Sequence, residues 1–341
     1  MLNIKDHIKT LFLLIFIICL NTLIKAQLPE FKTLDLGGNE TGLVYSLSNG
    51  GYAVIGETDQ GGDDDAFLIR LDPNLNVLSS IEIGDATQER VSSLIELDDD
   101  TLLLTGMRNL GLSPSKGFNW LARISSSGVV DYYENNNNHG QDRMPFLLRS
   151  LFSGKIYNYG HLEGEISPIA GTNNFNRLSV SQFAKPVYNS SMASNWNNFF
   201  DQKGSSVVDD WGEVYAREAV ENADGSLTVL AIMSIGKSNG LPAYPFQEPR
   251  VFNIDSNGSL LSIIKLDSIQ RRTNAWAMCQ TLNGGYIICG NASQGVAQNQ
   301  GTDLDICLYK LDNNFNIIWT KTMGGAGDDD ALDIIHLGND E

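Results

Sequence analysis

The stretch "NGGYAVIG" (Asn49 to Gly56) returns almost unchanged as "NGGYIICG" (Asn283 to Gly290). An internal repeat constrains a fold more than any other sequence feature, because every copy must be one structural unit. Weaker copies lie between them. "DDTLLLTG" ends at Gly106, "SGKIYNYG" at Gly160 and "DGSLTVLA" at Ala231, so successive ends fall 50, 54, 71 and 59 residues apart. A second signature follows each copy. "LIRLDPNLNVL" (Leu68 to Leu78) matches "LYKLDNNFNII" (Leu308 to Ile318), and "VFNIDSNGSLL" and "LARISSSGVVD" are the same piece with drift.

Each unit reads as four short strands. Strand A is "RVSSLIEL" or "AWAMCQTL", B is "YAVIGET" or "YIICGNA", C is "DAFLIRLD" or "DICLYKLD", and D is "NIIWTKTMGG". A tight Asn/Asp/Gly turn joins A to B, which is a hairpin signal. Apolar residues alternate with period 2, central strands are apolar on both faces, and no segment keeps a 3.6 period. The chain is therefore all-β. Four antiparallel strands every ~40–50 residues is the spacing of β-propeller blades. A blade covers its faces with its neighbours, and a ring removes the open ends of the array. "LPEFKTLDLGG" (Leu28 to Gly38) reads as a strand D with nothing before it, and "DALDIIHLG" after the fifth unit reads as one more strand A. The expectation is a propeller of five complete blades plus a split, incomplete sixth, incomplete at its C-terminus.

The pattern "GGYxxxG" followed by "KLDNNFNIIWTKTMGG" resembles the repeats of secreted bacterial β-propeller proteins. It is also similar to quinoprotein-like (PQQ-like) repeats, where a leucine–aspartate pair precedes a turn and a docking tryptophan; Leu311, Asp312 and Trp319 keep that form. The resemblance covers nearly all of residues 28–341. It implies a fold rather than an activity, and proteins of this kind are often exported by type IX secretion.

The N-terminus agrees with export. Lys5 and Lys9 form a basic region, Leu11 to Leu20 is an apolar run, and Ala26 is the expected cleavage point. The run is shorter than the ~20 residues a bilayer span needs. Residues 1–26 are thus read as a signal peptide, and 27–341 as a secreted or cell-surface repeat domain with no membrane span and a monomeric state. The formal charge of −18 becomes more negative when the basic leader is removed. A chain so acidic repels nucleic acid and anionic membranes. The expected partner is an extracellular ligand, glycan or protein.

Connections between strands B and C, and between D and A, are long and vary from unit to unit, and both emerge on one side of an up-and-down blade. Binding residues usually sit on such loops. The stretch from Tyr188 to Trp211 reads as a D–A loop carrying Trp196, Phe199, Phe200 and Trp211, and Tyr244 joins the same side. Aromatic plates beside amides suit sugar rings. His139 and His161 lie there with Arg143. Arg90, Arg143, Arg217 and Arg272 fall near the starts of A strands, out of register by one to three residues. "GKSNG" fits a nucleophile elbow in letters only, because "LPAYP" follows it and cannot open a helix. If Asn283-Gly284-Gly285 is the whole turn, Cys279 and Cys289 face each other across strands A and B and can form a disulfide. Asp328, Asp329 and Asp330 are the one candidate for a metal, Ca²⁺, though they lack the calcium-loop pattern.

These features favour an exported binding, adhesion or scaffold module over an enzyme. The alternatives are a glycan-active hydrolase or lyase, a quinone-dependent oxidoreductase, or a structural segment of a longer surface protein.

Overall fold

The computed structural model describes residues 40–59, 65–84, 88–97, 100–109, 117–128, 130–135, 141–149, 155–164, 175–183, 194–200, 210–237, 246–266, 273–293 and 304–337. The leader and the strand expected at 28–38 lie outside them. All the described residues belong to one compact unit that begins at Asn39.

That unit contains five four-stranded antiparallel sheets, each a simple meander in chain order. Blade 1 is β1 (Glu40–Ser46), β2 (Tyr52–Thr58), β3 (Asp65–Leu71) and β4 (Val77–Ile83). Blade 2 is β5 (Gln88–Glu96), β6 (Leu102–Asn109), β7 (Gly117–Ile124) and β8 (Val130–Asn135). Blade 3 is β9 (Gln141–Arg149), β10 (Ile156–Gly164), β11 (Phe175–Phe183) and β12 (Ser194–Phe200). Blade 4 is β13 (Asp210–Glu221), β14 (Leu227–Lys237), β15 (Phe246–Ile254) and β16 (Leu260–Lys265). Blade 5 is β17 (Thr273–Gln280), β18 (Tyr286–Ser293), β19 (Leu304–Leu311) and β20 (Ile317–Met323). The A strands of successive blades pack on one another, β5 on β9 and β13 on β17. The D strands form an edge of every sheet.

The repeat motifs are the turns. In "NGG" the Leu47 N–H donates to Gly51 O at 2.9 Å and Gly50 takes φ 83°; Thr281, Gly285 and Gly284 repeat this at 2.8 Å and φ 79°. A left-handed residue there favours glycine. The Asp-x-Asn-x-Asn motif is a turn staple. Asp72 Oδ1 accepts the N–H groups of Asn74 and Asn76, both at 2.8 Å, and Oδ2 accepts Asn76 Nδ2 at 2.8 Å. Asp312 does the same for Asn314 and Asn316. Such local bonds fix the chain reversal into strand D.

Strand A carries a bulge in blades 2 to 5. The register shifts between Val91 and Ser93, at Tyr159/His161 of the partner strand, between Ala216 and Glu218, and between Ala275 and Ala277. The last glycine of "GYxxxG" faces it. A Cβ on Gly106 would strike Arg90 O and the Trp120 ring, and one on Gly290 would strike Asn274 O. The motif glycine therefore makes room for the extra residue of the neighbouring strand.

Among the described residues four apolar clusters fill the seams between successive blades. Ile55 and Leu68 meet Leu104 and Trp120 between blades 1 and 2. Ile95 and Leu121 meet Ile156 between blades 2 and 3. Tyr157 and Tyr159 meet Val214 and Phe252, and Leu230 and Val251 meet Ile288 and Tyr309, at the next two. Polar staples run beside them. The Tyr286 hydroxyl of "GGY" lies 3.0 Å from the Thr228 hydroxyl and donates to Asn222 Oδ1 in the preceding blade. The Tyr157 hydroxyl donates to Glu221 Oε1 at 2.6 Å. Arg70 donates to the carbonyls of Asp100, Ile124 and Ser125.

Two expectations change. Trp196, Phe199 and Phe200 lie on β12, the outer strand of blade 3, and not on a loop. The sequence reading gave Tyr188 to Trp211 to a D–A loop; the aromatic stretch instead forms strand D because aromatic residues suit a pleated edge. Residues 331–337, expected as a strand A, pair with no strand among the described residues. Without a hydrogen-bonded neighbour an extended segment is not a strand. The segment instead runs beside blade 5, with the Asp329 N–H donating to Leu304 O at 2.6 Å.

Gly290→Ala and Gly106→Ala are each expected to lower stability by about 3 kcal/mol, through backbone displacement at the bulge. Chemical denaturation of each variant checks this, with Gly325→Ala, whose Cβ would meet nothing within 4 Å, as the neutral control.

Candidate functional site

The bulge defines one comparable position in every blade, the first residue paired after it. Ser93, Phe146, Glu218 and Ala277 occupy it in blades 2 to 5, opposite Thr105, Tyr159, Leu230 and Cys289. Leu43, opposite Ile55, is its counterpart in blade 1. The ungapped match of residues 322–337 to 82–97 places Asp333 at the same position. Five different residue types in the five blades show that packing does not dictate this position. Glu218 and Asp333 are its two acids.

Glu218 is half-buried. Its Oε1 accepts the Ala219 N–H at 3.3 Å, and the Tyr159 hydroxyl of blade 3 hydrogen-bonds its carboxyl. Burial pushes the carboxyl up to about 7; Asp333 adds to the rise, and the two hydrogen bonds oppose it. Tyr159 is 4% exposed. Burial, with Glu218 beside it, raises its phenol well above the ordinary value. Tyr45 of blade 1 also lies within electrostatic reach of Glu218 and Tyr159, and its phenol is raised by burial. Cys279 feels both Asp333 and Glu218. Residues of blades 1, 3 and 5 and of the segment after β20 thus lie within electrostatic reach of one carboxyl group. A carboxylic acid that holds its proton to near-neutral pH can act as a general acid.

A second chain of contacts runs along the seam between blades 4 and 5. The bulge residue Arg217 lies over the ring of the next bulge residue, Trp276, with 4.5 Å to the ring centre. The Trp276 Nε1–H donates to Asp330 Oδ1 at 3.3 Å, and Asn291 Nδ2 donates to the same oxygen. Asp328 Oδ1 accepts the Leu304 N–H at 3.0 Å, and Asp329 Oδ2 accepts the Gly325 N–H at 3.0 Å. The three aspartates serve separate donors and hold this segment against blade 5. Among the described residues no group of three or more His, Cys, Asp or Glu side chains is placed to hold a metal, so this structure gives the calcium candidate no support.

The residues singled out from sequence are dispersed. Trp196, Phe199 and Phe200 sit on an outer strand, and Trp211 opens the inner strand β13. Arg143 and His161 are opposite each other in register in blade 3. His139, Tyr244 and Arg272 lie outside the described residues. Arg90 and Arg143 share one register position, but Arg90 is exposed beside Glu57 at 3.8 Å, and Arg217 stacks on Trp276. Cys279 and Cys289 are free thiols. The turn is Leu282 to Gly284, closed by the Thr281 N–H on Gly285 O, so Cys279 pairs with Ile287 and Cys289 with Ala277. Trp319 lies against Lys321 of its own strand, 5.1 Å from the ring centre. Sequence reasoning missed Glu218 and Tyr159. The signal was present: each is a polar departure at a repeat position, visible once the bulge is aligned.

No protein-family model matches the sequence, and no curated protein matches it. Solved structures with partial likeness include Sqt1 from Chaetomium thermophilum, at 10% identity over 87% of this chain and 75% of that one, with a TM-score of 0.43. An α-L-arabinofuranosidase from Fusarium graminearum gives 14% identity over 69% and 67%, TM-score 0.43. An exo-β-1,3-galactanase from Phanerochaete chrysosporium gives 10% over 80% and 60%, TM-score 0.41. At these scores the likenesses assign no activity to this chain.

Glu218 also has a stability consequence. Its pKa is higher in the folded state than its ordinary 4.5, so the folded chain binds the extra proton. Stability is then fullest below pH ~4.5 and falls as pH rises through ~7. The loss is about 1–2 kcal/mol once solvent access is allowed for. Melting temperature is expected to fall between pH 5 and pH 8 in the wild type and to fall less in Glu218→Gln.

Proposed function

We propose that the chain is a glycan-active hydrolase whose proton donor is Glu218. One observation carries the proposal: Glu218, half-buried and raised to about 7, lies within electrostatic reach of a second, exposed carboxyl, Asp333, which matches it in the sequence repeat. Glycoside hydrolysis uses a pair of carboxyl groups, one of which must hold a proton near neutral pH to act as the acid. In this reading Glu218 gives its proton to the glycosidic oxygen as the C–O bond breaks. Asp333 assists the attack of water on the sugar carbon, and the proton released by water restores the acid. In this reading the blades form a closed ring around this pair, and the electrostatic influence of Glu218 on Tyr45 supports it. The protein acts outside the cytoplasm, sent there by residues 1–26, as a secreted or cell-surface protein.

A second reading, a binding module, is favoured by the loops. The B–C connections and the D–A connections after β12 and β16 are mostly longer than the A–B and C–D turns, apart from the long one between β11 and β12, whereas the D–A connections after β4 and β8 are short. Side chains from these connections on one side would then recognise a glycan or protein without turnover.

The deciding experiment incubates the secreted chain with arabinans, galactans, xylans and β-glucans and measures reducing-end release. Hydrolysis is expected on at least one, reduced at least ~100-fold in Glu218→Gln and in Asp333→Asn. Binding without release supports the module reading, and equal hydrolysis by Glu218→Gln removes the acid assignment.

A further inference from the structure

Strand A is an edge of every sheet, so N–H groups on its outer side have no ladder partner. Two of these lie at one repeat position, Leu94 in blade 2 and Ala219 in blade 4, each immediately after the bulge-defined residue. Both are taken by a tyrosine oxygen from the preceding blade. The Leu94 N–H donates to the Tyr45 hydroxyl, which also hydrogen-bonds the Ser93 side chain. The Ala219 N–H is shared between Glu218 Oε1, at 3.3 Å, and the Tyr159 hydroxyl, which also hydrogen-bonds the Glu218 side chain. The two clamps are the same device, one built on serine and one on an acid. They use different strands, because Tyr45 is on β1 and Tyr159 on β10, so they are not a simple copy of the repeat. The counterparts of Tyr159 in the other blades are Ile55, Thr105, Leu230 and Cys289. The fold therefore does not require a hydroxyl there.

We propose that Tyr159 is a positioning residue for Glu218: its hydroxyl, which shares the Ala219 N–H with that side chain, donates to the Glu218 carboxylate and sets the pH at which Glu218 exchanges its proton. This rests on the reading of Glu218 as the proton donor of the site. The other titratable groups facing Glu218 are Asp333 from the segment after β20, Tyr45 from β1 and Cys279 from β17. None of these donates to it. A donor to the charged form lowers a carboxyl pKa, so the clamp offsets part of the effect of burial. It also leaves the acid nearer neutral pH than burial and Asp333 alone would.

The test is direct titration of Glu218 by carbon NMR on glutamate-labelled protein, with Glu218→Gln identifying its signal. Tyr159→Phe is expected to raise the midpoint by ~1 pH unit. 3-Fluorotyrosine at position 159, a stronger donor of nearly the same shape, is expected to lower it, and Tyr45→Phe to move it less than either. Opposite shifts from the two replacements separate donation from mere packing. An unchanged midpoint in both, or a fall with phenylalanine, overturns the proposal. Should Tyr159→Phe not fold, the fluorotyrosine arm alone decides it, by lowering the midpoint or not. If the shifts appear but no glycan is cleaved, the hydrolase reading fails and the role of Tyr159 in holding the acid stands.

Discussion

A four-stranded sheet whose central strands are apolar on both faces is unstable alone, because one neighbour can cover only one face. The seams between successive blades are where this chain meets that constraint. Each seam holds an apolar cluster that draws on two blades, and burying one large aliphatic or aromatic side chain there contributes about 2 kcal/mol. The polar staples act at the same seams. Tyr286 reaches back to Asn222 and Thr228, and Arg70 reaches forward to three carbonyls of the next blade. No blade is therefore an independent folding unit, and the position of the A strands follows from how closely the seams pack.

Close packing of A strands explains the bulge. An extra residue increases local twist and re-aims the side chains beside it. It needs space in the partner strand, which the glycine at the end of "GYxxxG" supplies in blades 2, 3 and 5. Blade 4 carries Ala231 there, opposite Ala216, and two small residues serve instead. The residue after the bulge is released from the regular alternation of buried and exposed positions. That is where Glu218 appears, and where Tyr159 and Tyr45 approach it.

Strand content, blade order and both turn types were legible from sequence because each rests on local chemistry: a left-handed glycine, an aspartate reaching two and four residues ahead, and a period of 2. Blade 3 was misread where local chemistry was silent. Its C–D connection is long, and the stretch from Ser194 to Phe200 looked like an aromatic loop. The cysteine pairing was misjudged by two residues, because the turn lies one residue earlier, at Leu282 to Gly284, with Gly285 already paired to Thr281. The candidate site was hidden for a different reason. Glu218 and Tyr159 are far apart in the chain, and only the seam between blades 3 and 4 brings them together. Charge and aromatic content drew attention to loops, whereas the perturbed group lies on a strand.

The variety at the bulge-defined position has an evolutionary meaning. Leu43, Ser93, Phe146, Glu218 and Ala277 hold one structural place with five different side chains, while the glycines, turn aspartates and seam residues around them stay recognisable. A repeat protein of this design separates what is inherited for folding from what is free to vary. Each duplicated blade brings another slot facing the others, and a change in one slot leaves the remaining blades intact. New chemistry can then arise one blade at a time, on a scaffold already stable without it.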